Sequence, residues 1–335
     1  MMWENVKDAT NEDFTTLEAG RGYIYANTAT TTLSFTGDLV VEAVEQDITA
    51  TDNELTGFNL IGNPFTHNIT LDHISGASLA DGFYTLTNEG AWNANNSTTG
   101  VINAFQGALI QTAATNKVEI NPTAVSKSRA VNNGQLKINV ANSKYSDVAY
   151  VSFNEGIGLD KIEHRNANIP MVYVPVDGVN YAVAMMSQDV TEIPVSFRAM
   201  TMGQYTIGAE AQDCEYAMMT LVDRLTGTET NLLLEDYTFV ATTKDNEDRF
   251  IIKLAKINAD GENEDNFAFI NNGMMYIYNI EGQGMVSIYD VIGRPVAEFN
   301  VETSANIPTS ELTTGIYIIR MKDNNGVKVQ KILID

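Results

Sequence analysis

The segment Gly284-Met-Val-Ser-Ile-Tyr-Asp-Val-Ile-Gly-Arg-Pro-Val296 contains two apolar runs separated by turn-forming residues. This pattern predicts a strand at 284–289, a turn, and a second strand at 296–301. Asp323-Asn-Asn-Gly326 lies between two later apolar runs and supplies residues that tolerate the left-handed turn of a hairpin. The end of the chain, from Phe267, is therefore predicted to be a small all-β module, with strands at 268–271, 274–280, 284–289, 296–301, 316–321 and 327–334.

The rest of the chain has the same character. Of its 335 residues 44% are hydrophobic, it contains 24 Gly and 7 Pro, and short apolar or Thr-rich runs alternate with turn residues. Long stretches rich in Ala, Leu, Lys and Glu, which would favour helices, do not occur. The predicted fold class is all-β, with tandem antiparallel β-sandwich domains and a small Ig-like sandwich at the end. No internal repeat at a period of 20–50 residues occurs, so a solenoid is not expected.

Two polar segments divide the chain. Residues 123–134 are small, polar and locally basic, and residues 258–266 are almost entirely polar or acidic. Both compositions are typical of interdomain linkers. We therefore predict β-sandwich domains at 1–124 and 135–257 and the Ig-like module at 267–335.

The charge balance excludes several kinds of partner. Asp and Glu number 43 against 20 Lys and Arg, which gives a formal net charge of −23. Nucleic-acid binding requires a positive surface, and anionic lipid repels a chain of this charge. No nucleic-acid partner is therefore expected.

The start of the chain, its apolar runs and its one cysteine give information about localisation. Cys214 is alone, so no intrachain disulfide and no cysteine-based zinc site can form. No run approaches the roughly 18 apolar residues of a spanning helix. The first residues, 1–14, lack the apolar segment of a signal peptide, so we expect the chain to be a fragment or mature form whose export signal lies upstream.

The terminal module resembles the C-terminal sorting domain of the type IX secretion system. The resemblance rests on the 284–296 segment and on two later blocks, Leu312-Thr-Thr-Gly-Ile-Tyr-Ile-Ile319 and Gly326-Val-Lys-Val-Gln-Lys-Ile-Leu-Ile334. The three blocks occur in the order, spacing and terminal position of the family. The resemblance implies an Ig-like sandwich recognised by the outer-membrane export machinery of Gram-negative bacteria, and therefore a secreted protein on the exterior of the outer membrane.

The resemblance also implies roles for individual residues. Gly293 would be the turn glycine, Gly315 the glycine before the Tyr317 strand, and Lys331 the basic residue of the last strand. The full set of predicted sorting-motif residues is Tyr289, Asp290, Gly293, Arg294, Leu312, Gly315, Tyr317, Gly326 and Lys331. More loosely, three segments resemble β-rich regions that precede this module in large surface proteins: 20–25, 57–65, and 221–228 continued through 237–239 and 249–250.

Residues that could support catalysis are few. Only three histidines occur, and His67 and His73 are expected on a surface or loop. Cys214 lies between Asp213 and Glu215, whose carboxylates disfavour a thiolate. No nucleophile elbow, phosphate-binding loop or dinucleotide motif is present, and no carboxylate pair is marked out for glycoside hydrolysis. We predict no catalytic residue, no metal site and no cofactor. The best stretch for calcium, 260–265, fails the EF-hand pattern and is better explained as a solvated linker.

Trp92 lies in an Asn-rich segment, where an indole is unusual unless it covers a core edge or binds a ligand. Trp92 and Tyr84 are the candidate glycan contacts, with core-edge packing as the alternative. We predict a non-enzymatic surface protein whose first two domains form a stalk or adhesion-like region, with glycans or other surface proteins as partners. The alternative is a glycan-binding accessory region of a larger secreted hydrolase.

Overall fold

The computed structural model describes most of the chain. The described residues are 16–26, 29, 32, 34, 36–51, 55–76, 78–125, 133–214, 216–233, 235–256, 267–271, 273–278, 280, 282–310, 312–324 and 326–334. In this part of the chain every regular element is a β-strand, apart from one 3-10 turn at Leu71–His73. The prediction of an all-β protein is confirmed.

The first seven strands lie before residue 121. They are β1 (Val44–Ile48), β2 (Phe58–Gly62), β3 (Ile74–Ser75), β4 (Leu79–Leu86), β5 (Trp92–Asn96), β6 (Gly107–Thr112) and β7 (Asn116–Ile120). They form a three-stranded sheet of order β1-β7-β3 and a four-stranded sheet of order β2-β6-β4-β5.

The next eleven strands form one extended sheet. They are β8 (Gln135–Ala141), β9 (Ser146–Ser152), β10 (Leu159–Asp160), β11 (Met171–Val176), β12 (Val179–Met185), β13 (Glu192–Arg198), β14 (Gly203–Gln212), β15 (Tyr216–Asp223), β16 (Thr228–Asn231), β17 (Tyr237–Ala241) and β18 (Phe250–Lys256). The order is β16-β15-β18-β13-β11-β12-β9-β8-β14-β17, with β10 paired to β12. The pairing of β9 with β12 is parallel, with Val183 opposite Tyr150, whereas the neighbouring ladders are antiparallel.

The terminal strands are β19 (Ala268–Asn271), β20 (Met274–Ile277), β21 (Gln283–Asp290), β22 (Pro295–Glu302), β23 (Ala305–Pro308), β24 (Gly315–Asp323) and β25 (Gly326–Ile334). They form sheets of order β19-β20-β23 and β22-β21-β24-β25. Each strand predicted in this region is present, although the one predicted at 274–280 ends at Ile277, and β23 was not predicted. In β21 the side chains of Val286 and Ile288 are fully buried and belong to the core cluster of the module, and Ser287 between them is also buried.

The chain divides into two compact units. The first comprises Met1–Glu215 and Met219–Leu254, and the second comprises Tyr216–Met218 and Ala255–Asp335. The predicted boundary near residues 124–135 lies inside the first unit and stays a prediction about domain organisation. Residues 126–132 of that predicted linker, and 257–266 with its calcium candidate, lie outside the described residues.

Within the first unit, residues from both sides of this predicted boundary share one hydrophobic cluster. Side chains from the four-stranded sheet meet side chains from the extended sheet there. The cluster consists of Phe58, Ala80, Tyr84, Trp92, Ala94, Leu109, Tyr150, Leu159, Ile162, Ala182 and Val183. The terminal unit has its own cluster, to which every block of the predicted sorting motif contributes, including Ile288, Tyr317 and Ile332.

Candidate functional site

The turn between β21 and β22 is held by one carboxylate. Asp290 Oδ1 accepts hydrogen bonds from the backbone N–H groups of Ile292 (3.1 Å) and Arg294 (2.9 Å). Its Oδ2 accepts one from Arg294 Nε at 2.7 Å. The Gly293 N–H donates to the Asp290 carbonyl at 3.0 Å, and Gly293 has φ of +82°, in the left-handed region that favours glycine. Asp290, Gly293 and Arg294 therefore form one rigid turn.

The electrostatics of the turn follow from these bonds. The hydrogen bond from the Arg294 backbone, together with those from its side chain and from Ile292, holds the pKa of Asp290 below its ordinary value. Asp290 therefore keeps its charge under mildly acidic conditions, and the turn keeps its shape.

The tip of this hairpin exposes apolar side chains. Val291 is 67% exposed and Ile292 is 71% exposed, and the Arg294 side chain beside them is 75% exposed. An apolar pair next to a guanidinium on a rigid turn is suited to protein recognition, because little conformational freedom is lost on binding.

The second block forms the start of β24. The hydroxyl of Tyr317 donates to the Thr313 carbonyl at 2.9 Å, across the turn that leads into the strand. Tyr317 is 7% exposed, and Leu312 packs against the same core. Gly315 begins β24, and a Cβ added there would meet no atom closer than 3.9 Å. Tyr317 and Leu312 therefore pack in the hydrophobic core of the terminal unit.

The third block forms β25, which starts at Gly326, with φ of +127°. Lys331 is exposed and lies opposite Ile318, which in turn lies opposite Tyr289. These three residues form one row across β21, β24 and β25 on the outer face of the sheet, because cross-strand partners share a face. Asp290 and Tyr317 are partners in the adjacent row, whereas Gly326 lies at the opposite end of the sheet. The structure therefore brings together most of the predicted motif, but not all of it.

Gln330 belongs to this site's framework and was missed from sequence. Its Oε1 accepts the N–H groups of Phe267 (2.7 Å) and Ala268 (2.8 Å), and its Nε2 donates to the Ala268 carbonyl at 2.5 Å. The side chain thus joins β25 to the start of β19. An amide in an exposed-looking strand gives no sequence signal for this role.

The two candidate glycan contacts are buried. Tyr84 is 0% exposed and donates its hydroxyl to the Asp160 carbonyl at 2.7 Å, and Trp92 is 6% exposed. A sugar-stacking platform needs an accessible ring face. The structure therefore supports the core-packing interpretation for Trp92 and gives neither ring the accessible face that the glycan interpretation requires.

The histidines and the cysteine have separate surroundings. His67 is exposed, with Nε2 2.8 Å from the Pro122 carbonyl, and His73 Nδ1 accepts the Thr70 N–H at 3.2 Å. Burial, and then the charge of His67, lower the pKa of His73. Cys214 is half-buried, and its Sγ donates to the Gln135 carbonyl at 3.4 Å.

Two buried ionic clusters in the first unit were also missed. Asp223 and Arg249 form a bidentate pair, Nε to Oδ1 at 2.9 Å and Nη2 to Oδ2 at 2.7 Å, and the Tyr237 hydroxyl donates to the same carboxylate. The Arg249 guanidinium also stacks over Phe239. Asp223, Tyr237 and Arg249 fall in the segments 221–228, 237–239 and 249–250, which resemble β-rich regions of large surface proteins, but that resemblance does not indicate which of these residues are in contact.

The second cluster joins Asp147, Lys161 and His164, whose side chains are each 2% exposed or less. Burial opposes ionisation of Asp147, but the charge of Lys161 and the hydrogen bonds of His164 and Lys161 outweigh it and lower the pKa of Asp147. Single polar residues among apolar runs gave no reason to place these three together.

Within the described part of the chain, His, Cys, Asp and Glu side chains do not assemble into a group of three that could hold a metal ion. No helix among the described residues has the length and apolar character needed to cross a membrane.

Comparison with known proteins singles out the terminal unit. Residues 263–335 match the family model of the secretion system C-terminal sorting domain. No curated protein matches the chain. The matched residues include the β21–β22 turn, the Tyr317–Thr313 hydrogen bond at the start of β24, and β25.

Proposed function

We propose that this protein, which a type IX secretion sorting domain directs out of the cell and onto its surface, is a non-enzymatic surface component. In this proposal the terminal unit is the export address, read by the outer-membrane export machinery, and the first unit is a stalk or adhesion-like region. The structural observation that supports recognition by the export machinery is the rigid β21–β22 turn, which exposes Val291, Ile292 and Arg294 to solvent.

The hairpin tip is the recognition element in this proposal. The other motif residues divide into two groups: Leu312 and Tyr317 support the core, whereas Tyr289 and Lys331 lie on the outer face. A partner protein contacts exposed side chains, so the tip and the outer row are available to it and the core residues act by keeping the sheet in shape.

A passive role for the first unit is supported by how its polar groups are used. Asp223 is engaged by Arg249, Asp147 by Lys161, and the Trp92 and Tyr84 rings lie inside the core. These groups are engaged with one another or buried inside the first unit, where they stabilise its sheets. A stalk needs such internal cohesion.

Two chains, each expressed behind the same N-terminal signal peptide in a bacterium with a type IX secretion system, test the sorting function of the terminal unit. The full-length protein should be displayed on the surface, and a chain lacking residues 267–335 should accumulate in the periplasm. Surface display is measured by antibody labelling of intact cells. Equal display of the two chains would contradict the proposal.

A matched pair of substitutions tests the tip. Ile292→Asp places a charge on the exposed turn and should reduce surface display by about tenfold or more, as expected when an apolar hot-spot contact is lost. Val327→Asp, at a site 50% exposed at the other end of the same sheet, is the control and should be displayed like wild type. If Ile292→Asp is also displayed normally, recognition does not occur at the tip.

A further inference from the structure

Asp147, Lys161 and His164 form a deeply buried polar cluster. Among the described residues, it contains the most buried ion pair between a lysine and a carboxylate. Lys161 Nζ lies 2.5 Å from Asp147 Oδ2, and both side chains are 1% exposed. The same oxygen accepts the Val172 N–H at 2.8 Å. The carboxylate is thus held in a fixed orientation with the amine against it.

The third member, His164, has a defined proton position. Its Nδ1 accepts the backbone N–H of Trp92 at 3.1 Å, so in the neutral ring the proton resides on Nε2. Nε2 lies 3.3 Å from Asp147 Oδ1, the oxygen that Lys161 does not contact. A hydrogen-bond donor therefore faces the carbonyl side of the carboxyl group.

The pair lies beside the apolar cluster of the first unit, and Lys161 Nζ also donates to the Val148 carbonyl at 3.3 Å. Ile162, next to Lys161, belongs to the hydrophobic cluster shared across the first unit, and Val148, next to Asp147, packs against it. Burial lowers the pKa of the Lys161 amine, although the charge of Asp147 acts in the other direction. Moving the proton from the ammonium to the carboxylate works against the lowered pKa of Asp147, but it removes two buried charges and produces a neutral, nucleophilic amine.

We propose that Lys161 and Asp147 condense to an intramolecular isopeptide bond, an amide between Lys161 Nζ and Asp147 Cγ. The proton of the ammonium first passes to the carboxylate, giving an amine and a carboxylic acid. The amine lone pair attacks Cγ and forms the C–N bond, while His164 Nε2–H stabilises the negative charge that develops on Oδ1. One proton of the attacking nitrogen then moves to the acid hydroxyl, the C–O bond breaks, and one water molecule leaves. No oxidant or co-reactant is consumed.

Preorganisation makes the step feasible without an external enzyme. Both reacting groups are held within hydrogen-bonding distance by β9 and by the segment after β10, where the Lys161 N–H donates to the Asn180 carbonyl at 2.7 Å. Such positioning supplies the high effective concentration that intramolecular condensations need. With Cys214 as its only cysteine, the chain cannot cross-link itself through a disulfide.

The test is mass spectrometry of the purified full chain. The bond lowers the intact mass by one water molecule relative to the sequence. Trypsin cannot cleave after a modified lysine, so the digest should contain peptide 145–165, bounded by Lys144 and Arg165, with an uncut Lys161 and the same mass deficit. Loss of water at another site would instead give the two peptides 145–161 and 162–165, each with its full sequence mass.

Two variants complete the experiment. Lys161→Arg keeps the charge of the pair but removes the nucleophilic amine, so its mass should equal the sequence mass. Lys253→Arg, in the partly exposed pair with Glu229 at 3.4 Å, is the matched control and should keep the mass deficit of wild type. If wild type shows the full sequence mass and is cut at Lys161, the proposal is overturned, and this result does not depend on whether any variant folds.

Discussion

At Gly293 the backbone adopts φ of +82°, and no atom lies within 4 Å of where a Cβ would stand. A glycine is therefore required here because of the backbone conformation, and not because a larger side chain would clash with neighbouring atoms. Gly293→Ala should destabilise the terminal unit by about 1–2 kcal/mol, the cost of a left-handed backbone for an L-residue. Urea denaturation followed by circular dichroism measures this change.

Gly315 provides the comparison for Gly293. It belongs to the same predicted motif, but its φ lies outside the left-handed region and a Cβ would have room. Gly315→Ala should change the free energy of unfolding by much less. A similar loss in both variants would contradict the conformational explanation.

The Asp223–Arg249 pair predicts a pH dependence. Burial opposes ionisation of Asp223, but the hydrogen bonds from Arg249, Leu225 and Tyr237 outweigh it and hold its pKa below the ordinary value. A carboxylate with a lowered folded-state pKa stabilises the protein above its unfolded pKa of about 4, and this contribution is lost as pH falls through the lower folded-state value. Stability of the first unit should therefore decrease on acidification below about pH 4.

Asp223→Asn isolates this contribution. It should lower stability at pH 7 by about 3 kcal/mol, because the Arg249 charge is left buried without its partner, and it should flatten the acid dependence. Urea titrations between pH 3 and 7 measure both effects. Glu229→Gln, in the more exposed pair with Lys253, is the control and should cost under about 1 kcal/mol. An unchanged pH profile in Asp223→Asn would refute the assignment.

At the scale of elements, β25 is joined to β19 through Gln330. Gln330→Ala would leave the N–H groups of Phe267 and Ala268 without their acceptor in a buried position. The expected loss is about 2 kcal/mol of stability in the terminal unit, since an unsatisfied buried donor costs about 1–3 kcal/mol.

Lys331→Ala is the control for this variant because its side chain is exposed on the same strand. It should leave stability nearly unchanged, as measured by thermal denaturation. Equal stabilities of wild type and Gln330→Ala would show that the side-chain bonds do not hold the strand.

One local element occurs in both units. Tyr205 donates its hydroxyl to the Thr201 carbonyl at 2.7 Å, as Tyr317 does to Thr313. Both tyrosines follow the order Thr-x-Gly-x-Tyr, and both glycines begin a strand, β14 and β24. The contact is similar to the tyrosine corner of β-sandwiches. This short pattern was readable from sequence, but its hydrogen bond requires the turn that only the fold supplies.

At the scale of the whole molecule, the net charge of −23 predicts a salt effect. Self-repulsion of a compact, highly charged chain opposes folding, and salt screens it. Raising NaCl from low to physiological concentration at pH 7 should therefore raise Tm by a few degrees in differential scanning fluorimetry. A fall in Tm would mean that surface ion pairs such as Lys117–Glu45 contribute more than repulsion removes.

By itself the sequence determined the fold class, most terminal strands and the sorting module. Strand periodicity is local, and it marks Val286 and Ile288 as inward wherever the strand lies. The blocks around Asp290, Gly315 and Lys331 are likewise contiguous in sequence, which is why a resemblance could be recognised. The weak strand β23, four residues long with Asn and Pro, carries no such pattern and was missed.

Only the tertiary structure decided which distant residues meet. Trp92 is 72 residues from His164, and Asp223 is 26 residues from Arg249, yet each pair is in contact. Whether an indole faces solvent or core, and whether a lysine meets an aspartate in an apolar interior, depends on how sheets pack, which local periodicity does not encode. Packing therefore placed Trp92 and Tyr84 in the core, and it put Lys161 against Asp147, where their chemistry becomes testable.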